Sequence, residues 1–483
     1  MPAPKPIPGV PDPWAWPSAV IIGVVFAAIA MLVTLTWFPV LHGVPGWNVP
    51  GDIWMATDSG RQVWNGALGY VYDIRWASYA LPLGYIVIAP AVGLADHLNL
   101  VEGAPMSIPH PTAWLVIGPY VLLLGIVLLH AIRGIARDLG LSRYLWQIQI
   151  LAAVVVLGPS AAWNHFEDVL ALAFLLYAVR SAWRGRTASS ALLLGISVSF
   201  KQWSVVALPF LLLQLPPGTR LRYVLKAGWL PVSLAAFCLG VDWTHASRHL
   251  LEPTIVPENM DLGHHAVFAR VLGRDTSRLS RVTELALSPV VAWRSRHLSD
   301  RSSLLIAIGV VLLARPILEP YNYGYYWSPG VILIVVGVAA RRGSLGIRTW
   351  GWAFLLTAWV APGDTSSAGW WSGVLVILSA WAWTAIRPGR TLTTEAKLSI
   401  DAEWERAQLA APGDEDFIAS GALDNDNFSG SVSGSREGLE DSATVTSAKP
   451  RGSNWLAPAA HMSQSSTQVR KQHAEVHQAA HRS

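Results

Sequence analysis

The stretch SAVIIGVVFAAIAMLVTLTWFPVL, at residues 18–41, carries no charged residue over 24 positions. A helix needs about 20 apolar residues to cross the ~30 Å hydrocarbon core of a bilayer, so this stretch is long enough to span one. It is longer than the apolar region of a signal peptide, and no small-residue cleavage site follows it. We interpret it as a retained first membrane span, preceded by a cytoplasmic N-terminus at residues 1–17.

The composition extends this interpretation to the rest of the chain. Of 483 residues, 52% are hydrophobic and 14% are charged, whereas soluble domains carry about 25% charged residues. Further apolar runs predict spans at residues 112–132, 144–160, 169–183, 189–200, 203–215, 224–241, 302–313, 328–340, 350–360 and 371–386. The sequence therefore predicts an all-α polytopic membrane protein.

The apolar run at residues 81–94 is of marginal length for a span. It contains Pro82 and Pro90, and a proline inside a helix removes a hydrogen bond and kinks it. A re-entrant or kinked segment and a full crossing both stay open, because a full crossing would disturb the alternation of inner and outer loops.

Arginine and lysine concentrate in short segments between the apolar runs. The clusters are Arg133/Arg137/Arg143, Arg180/Arg184/Arg186, Arg220/Arg222/Lys226, Arg294/Arg296/Arg301, Arg341/Arg342/Arg348 and Arg387/Arg390. The positive-inside rule predicts that these segments are cytoplasmic. The intervening segments then face outward, among them a first outer loop at residues 42–79 and a larger one at 242–285. Basic loops of this kind do not indicate a nucleic-acid partner.

The composition changes after Arg390. Residues 401–483 hold 7 Lys and Arg against 12 Asp and Glu, with many Gly and Ser. Such a segment buries too little apolar surface to offset its ordering entropy. We predict a disordered acidic cytoplasmic tail at residues 391–483, after a transmembrane domain at 18–390.

Ionisable side chains near membrane depth are costly and usually functional. In this chain they fall in the predicted outer loops. They are Asp52, Asp58 and Arg61 in the first loop, His165 and Asp168 in WNHFED, Lys201 in FKQW, His264 in DLGHHAVFAR, and Arg315 and Glu319 in ARPILEPYNYGYYWSP, beside the aromatic Tyr325. Their placement predicts one outward-facing site.

Asp52 and Asp58 are candidates for a general base. On a helix they lie about 600° apart, which places them on different faces, so only one can reach a given substrate hydroxyl. The alternative for Asp52 is a helix N-cap, because it follows Pro50-Gly51 and precedes IWMA.

Lys201 is a lone lysine in a long apolar stretch. It either snorkels to the interface or meets an anion, of which a phosphate is the functional candidate. His165 and Asp168 are helical neighbours and can pair with each other, as can Arg315 and Glu319. Zinc-binding spacing is missing and so is any nucleotide-binding motif in a suitable context, so we predict neither a metal nor another cofactor.

The adjacent His264 and His265 point apart on a helix, so at most one of them lines a site. Tyr325 belongs to an aromatic run that is either an interface belt or a platform for a sugar.

Several weak motifs follow one another in a recognisable order. After Asp-Ile in the first loop come GRQVWNGALGYVYD and YALPLGY, then GPSAAWNHFEDV with SFKQWSVVALPF, and finally ARPILEPYNYGYYWSPGV. In this order, over residues 15–390, the chain resembles the membrane glycosyltransferases of the GT-C superfamily, and in particular the polyprenol-phosphate-mannose-dependent alpha-mannosyltransferases of actinobacteria. The resemblance implies a bundle of about 10–12 transmembrane helices whose first outer loop carries short interfacial helices.

The resemblance also implies roles for single residues. Asp52 matches the first-loop catalytic aspartate, with Asp58 as its competitor, and Lys201 matches a lysine near the lipid phosphate. Arg315 and Tyr325 match groups near the donor. Further candidates are Arg61 for the donor, and His165, Asp168, His264 and Glu319.

The implied activity is an inverting transfer of a sugar, expected to be mannose, from a polyprenyl-phosphate donor. The expected acceptor is a lipid-linked or cell-envelope glycan at the outer face of the cytoplasmic membrane. The alternative is a transporter or flippase of a lipid-linked sugar. Transporters usually place ionisable groups near the bilayer midplane.

Overall fold

The computed structural model describes residues 14–37, 46–47, 49–50, 52–72, 81–103, 108–251, 276–296, 300–318, 324–342, 353, 356 and 372–379. Within these residues the regular secondary structure is helical and contains no β-strand, as the sequence predicted. His264, Glu319 and the predicted tail at 391–483 lie outside the described residues.

The longer helices are numbered in chain order. They are α1 (Ala15–Leu32), α2 (Ile53–Trp64), α3 (Leu83–His97), α4 (Trp114–Leu123), α5 (Gly125–Asp138), α6 (Leu145–Ala152), α7 (Gly158–Trp163), α8 (Phe166–Trp183), α9 (Thr187–Phe200), α10 (Leu208–Leu213), α11 (Arg220–Val241), α12 (Trp243–Leu251), α13 (Thr276–Ser295), α14 (Arg301–Leu318) and α15 (Gly324–Arg342). Two π-helical turns, Val33–Trp37 and Ala153–Leu157, extend α1 and join α6 to α7.

Five described segments are long and apolar enough to cross a membrane. They are Ala15–Thr36, Trp114–Asp138, Ser142–Trp163, Pro217–Val241 and Gly324–Arg342. Shorter apolar helical segments are Leu83–His97, Thr187–Phe200, Gln202–Leu213 and Arg301–Ala314. These helices support an all-α membrane protein, and the total of 10–12 crossings stays a prediction.

The first span begins earlier than the sequence suggested. Helix α1 starts at Ala15 and includes Pro17, whereas the apolar pattern placed the start at residue 18. A proline in the first turn is tolerated because the amide it lacks has no partner within the helix there. The boundary of the predicted N-terminal segment therefore lies a few residues too late.

Spans that follow one another along the chain run antiparallel, so the bundle has two ends. At the start of α1 the ring of Trp16 stacks on His130 of α5, with centroids 3.9 Å apart. At that same end Arg180 and Arg184 of α8 both contact the Asp138 carboxylate, each at 2.9 Å. We call this the arginine end, because members of several predicted arginine clusters meet there. The opposite end, where α8 begins, is called the Asp52 end.

Helix α3 contacts the starts of two other helices. The backbone of Gly84, in its first turn, lies against the Glu167 side chain at the start of α8. Just beyond its last turn, the Val101 carbonyl accepts a hydrogen bond from the Ala113 amide, which directly precedes α4. With 15 residues α3 is shorter than a full span, and the two alternatives that the sequence left open both stay predictions.

Helix α13 overlaps the end of the segment 242–285, which the sequence analysis assigned to an outer loop. It buries Glu284 and Ser288 and exposes Val282 and Val290. The polar residues of this segment lower its mean hydropathy, so the apolar pattern did not reveal the helix. Helix α12 also lies within that predicted loop, and residues 252–275 are outside the described ones.

Small residues bring some helices into close contact. A Cβ atom at Gly195 of α9 would lie 2.5 Å from the Ala227 carbonyl oxygen of α11. A Cβ atom at Gly309 of α14 would lie 2.8 Å from the Gly330 carbonyl oxygen of α15. Contacts of this kind are typical of helices that associate in membranes, where small side chains allow backbones to approach.

Candidate active site

Asp52 occupies the N-cap position of α2, but its side chain does not act as a cap. Its backbone is helical, with φ −69° and ψ −16°, and the carboxylate makes no capping hydrogen bond. Instead Oδ2 lies 3.2 Å from Nε2 of His165. Asp52 therefore lies at the N-cap position, as the alternative predicted, but its carboxylate contacts His165 and does not cap the helix.

His165 is placed by a sharp reversal of the chain between α7 and α8. Asn164 adopts the left-handed conformation, with φ 59° and ψ 47°, which asparagine tolerates better than most residues. The next residue, His165, stacks its ring on Tyr325 of α15, with centroids 3.8 Å apart and planes inclined by 24°. The imidazole is thus fixed between two helices at the Asp52 end.

Asp168 lies in the first turn of α8 and its side chain is only 7% exposed. Its Oδ1 accepts a hydrogen bond from Nε1 of Trp203 at 2.6 Å. Its Oδ2 lies 3.5 Å from Nδ1 of His165 and 3.9 Å from Nζ of Lys201. A buried carboxylate is costly without partners, and these three groups supply them.

Lys201 lies at the break between α9 and the following 3-10 turn. Its backbone is extended, with φ −146° and ψ 125°, and ends α9. The side chain is 17% exposed and its ammonium faces Asp168. Of the two alternatives, snorkelling and an anionic partner, the structure has the lysine beside an anion, the Asp168 carboxylate.

A small cleft adjoins Asp168. It is lined by Asp168, Trp203, Leu312, Tyr325, Tyr326 and Pro329. Its volume of about 10 Å³ leaves room for roughly one water molecule. A carboxylate, an indole and two phenol rings thus surround one small opening.

Asp58 and Arg61 form a separate cluster on α2. The Arg61 guanidinium contacts three carboxylates: Asp96 at 2.8 Å, Glu102 at 2.5 Å and Asp58 at 3.3 Å. Burial raises the pKa of Asp58 and outweighs the opposing effect of Arg61. Burial likewise raises the pKa of Glu102. The Arg61 charge is thus already compensated by carboxylates, and Asp58 faces a different partner from Asp52.

The structure therefore brings together five of the predicted site residues, listed here as Asp52, His165, Asp168, Lys201 and Tyr325. The backbone of Arg315 lies in α14. In the part of the chain that the structure describes, His, Cys, Asp and Glu form no group of three able to hold a metal ion.

Sequence reasoning did not single out Trp203 in the site, or Asp96 and Glu102 around Arg61, whereas Tyr326 was part of the predicted aromatic run. Trp203 was in the quoted stretch FKQW, where only Lys201 was singled out. Asp96 and Glu102 follow a predicted apolar run, and an unpaired Arg61 was the signal that could have pointed to them.

Comparison with protein-family models, with curated proteins and with solved structures gives no match for this chain.

Proposed function

We propose that the protein is an inverting glycosyltransferase that uses a polyprenyl-phosphate sugar as donor. One observation carries the proposal: Asp52 and Lys201 belong to one continuous cluster, joined through His165 and Asp168. A base for the acceptor hydroxyl and a cation for the leaving phosphate are thus within one small region. Base catalysis and stabilisation of the leaving group are the two needs of this reaction.

The reaction is a single displacement at the anomeric carbon. The acceptor oxygen forms a bond to that carbon while the bond from carbon to the phosphate oxygen breaks. The acceptor proton passes to the Asp52 carboxylate, and the leaving polyprenyl phosphate keeps the electron pair of the broken bond. Lys201 stabilises the negative charge on that phosphate. A beta-linked donor gives an alpha-linked product.

A lipid-linked donor suits the position of the cluster. Asp52, His165, Lys201 and Tyr325 all lie where helices begin or end, at one end of an apolar bundle. The phosphate of a polyprenyl donor lies at the membrane surface, with its chain in the hydrocarbon. The motif order supports mannose as the sugar, a glycan or glycolipid as the acceptor, and the outer face of the cytoplasmic membrane as the location.

A transporter of a lipid-linked sugar is the rival. Transporters usually bind substrate near the bilayer midplane, between repeats. The cluster here lies at helix junctions, and within the described residues these junctions are at the Asp52 end, which favours the enzyme.

The test compares the wild type with Asp52→Asn and with Asp58→Asn in nanodiscs, using polyprenyl-phosphate mannose and a membrane glycolipid extract. We expect Asp52→Asn to lower transfer by about 10²–10⁴-fold, the usual contribution of a general base. We expect Asp58→Asn to keep transfer within a few fold of wild type. If folded wild-type protein transfers no sugar from any polyprenyl-phosphate donor, the proposal fails and the transporter is favoured.

A further inference from the structure

The His165 ring and the Lys201 ammonium of the site both face carboxylates. Resting on the proposed function, we propose that the donor phosphate binds beside Lys201 and displaces Asp52 from His165. Asp52 is then available as a base once the donor has bound. The phosphate site consequently includes His165 as a second ligand, and Asp52 competes with the phosphate for it.

The contacts of His165 are the first step of this inference. Each ring nitrogen faces one carboxylate, Nε2 facing Asp52 at 3.2 Å and Nδ1 facing Asp168 at 3.5 Å. An N–H group on either nitrogen is therefore already directed at an anion. A phosphate can accept a hydrogen bond from Nε2 only when the Asp52 carboxylate has moved away.

The electrostatic surroundings of the ring are the second step. The charged or titratable groups around it come from four places in the fold: Asp52 before α2, Asp168 in α8, Lys201 after α9, and Tyr325 with Tyr326 in α15. The Asp52 carboxylate lies beside the ring nitrogen that a phosphate would contact, so it repels a second anion there.

Burial is the third step. The side chains of His165 and Asp168 are 18% and 7% exposed, whereas Asp52 is 36% exposed. A phosphate that contacts His165 has to displace one of the two carboxylates from the ring. Asp52 is the more exposed carboxylate and lacks the Trp203 hydrogen bond that holds Asp168, so Asp52 is the one that is displaced.

This competition has an unusual consequence for binding. Asp52→Asn removes a competing anion but keeps the shape of the side chain, so phosphate should bind more tightly although transfer is lost. We expect a gain of about fivefold, the upper effect of a partly exposed ion pair. His165→Gln removes the imidazole that contacts the phosphate and should weaken binding by about tenfold, the effect of one lost hydrogen bond to a charged group.

The experiment uses the full chain in a maltoside detergent, which brings no phosphate of its own. Polyprenyl phosphate is titrated into wild type, Asp52→Asn, His165→Gln and the matched control Asp58→Asn, and affinity is measured by calorimetry. Uncharged polyprenol and inorganic phosphate are titrated in parallel. Thermal unfolding of each variant verifies that it is folded.

The expected order of affinity for polyprenyl phosphate is Asp52→Asn first, wild type equal to Asp58→Asn, and His165→Gln last, with no such order for polyprenol. The same order with inorganic phosphate assigns the site to the phosphate group alone. The order with the lipid only assigns it to a lipid headgroup, and both outcomes support the inference. Equal or weaker binding by folded Asp52→Asn overturns it.

Failure of the inference is distinguishable from failure of the proposed function. If the wild type transfers sugar but Asp52→Asn binds polyprenyl phosphate with unchanged affinity, the proposed enzyme activity stands and the competition between Asp52 and phosphate is rejected. If the affinities follow the predicted order but no sugar is transferred, the phosphate site stands and the proposed enzyme activity is rejected.

Discussion

The Nε2 atom of His165 lies 3.2 Å from Oδ2 of Asp52, although the two residues are 113 positions apart in the chain. This contact joins the first loop to the start of α8, and through Asp168 it reaches Lys201 after α9. Three separate helix junctions thus supply one site. A change in any of these side chains is expected to affect the others, because they share the same charges.

Lys201 is expected to act on the leaving phosphate, so Lys201→Gln should lower transfer by about 10²–10³-fold, mainly in kcat. The developing charge on the phosphate then has no ammonium to stabilise it. Steady-state kinetics with polyprenyl-phosphate mannose in nanodiscs measure the effect.

Lys201→Arg is the matched control, because it keeps the positive charge but changes the shape of the donor group. We expect it to retain much more activity than Lys201→Gln. Equal activity of wild type and Lys201→Gln would show that this ammonium has no part in the chemistry.

Arg61 is expected to stabilise the fold rather than the donor. Arg61→Gln leaves Asp58, Asp96 and Glu102 without their shared cation and should lower the free energy of unfolding by about 1–3 kcal/mol at neutral pH. The pKa of Glu102 is already raised by burial, and Arg61 opposes that rise. Without Arg61 the pKa rises further.

The destabilisation by Arg61→Gln should therefore be largest at neutral and alkaline pH and shrink as the pH falls, because protonation removes the charges that lack a partner. Thermal unfolding in detergent between pH 8 and pH 5, compared with wild type, measures it. A deficit that grows toward pH 5 would contradict this account.

Asp300 caps α14 at the arginine end. Its carboxylate accepts hydrogen bonds from the amides of Ser302 and Ser303 and contacts Arg341. Burial alone would raise the pKa of Asp300, but the hydrogen bonds from the two serines and the Arg341 charge lower it below its ordinary value of 3.8. Loss of this cap in Asp300→Ala should cost about 0.5–2 kcal/mol.

The sign of the pH dependence follows from the lowered pKa. The contribution of Asp300 is fully present above its ordinary pKa and is lost as the pH falls through the lower pKa of the folded state. The difference in unfolding temperature between wild type and Asp300→Ala should stay constant from pH 7 to pH 5 and shrink below about pH 4. Asp300→Asn, which retains a capping oxygen, should show a smaller loss at pH 7.

The sequence predicted the local features of the fold but not its long-range contacts. Apolar runs predicted α1, α8 and α11 within a few residues, because a bilayer requires about 20 apolar residues in a row. The same criterion missed α13, whose polar Glu284 and Ser288 are buried inside the bundle. Hydropathy measures the average of a segment and cannot distinguish which side of a helix is polar.

The site shows the same limit. Lys201, His165 and Asp52 were each singled out from the sequence, because an ionisable side chain near a membrane is energetically costly unless it has a partner. Which partner each one has depends on the helix packing. Arg61 and Asp52 were thus grouped by their closeness in sequence, whereas the structure places them in two different clusters.

The substitution Gly195→Ala tests whether the close contact between α9 and α11 determines where Lys201 lies. A Cβ atom at Gly195 would lie 2.5 Å from the Ala227 carbonyl oxygen, a backbone atom that cannot rotate away. Gly195→Ala should therefore separate α9 from α11 and lower the free energy of unfolding by about 1–3 kcal/mol, as overpacking does. Lys201 follows α9 directly, so transfer should also fall.

Gly228→Ala is the matched control, because it lies in α11 beside Ala227 and a Cβ atom there meets nothing within 4 Å. Alanine also favours the helix over glycine by about 1 kcal/mol, so Gly228→Ala should leave stability unchanged or raise it. Thermal unfolding and transfer are measured for both variants. If Gly195→Ala is as stable and active as Gly228→Ala, the spacing of α9 and α11 does not determine where Lys201 lies.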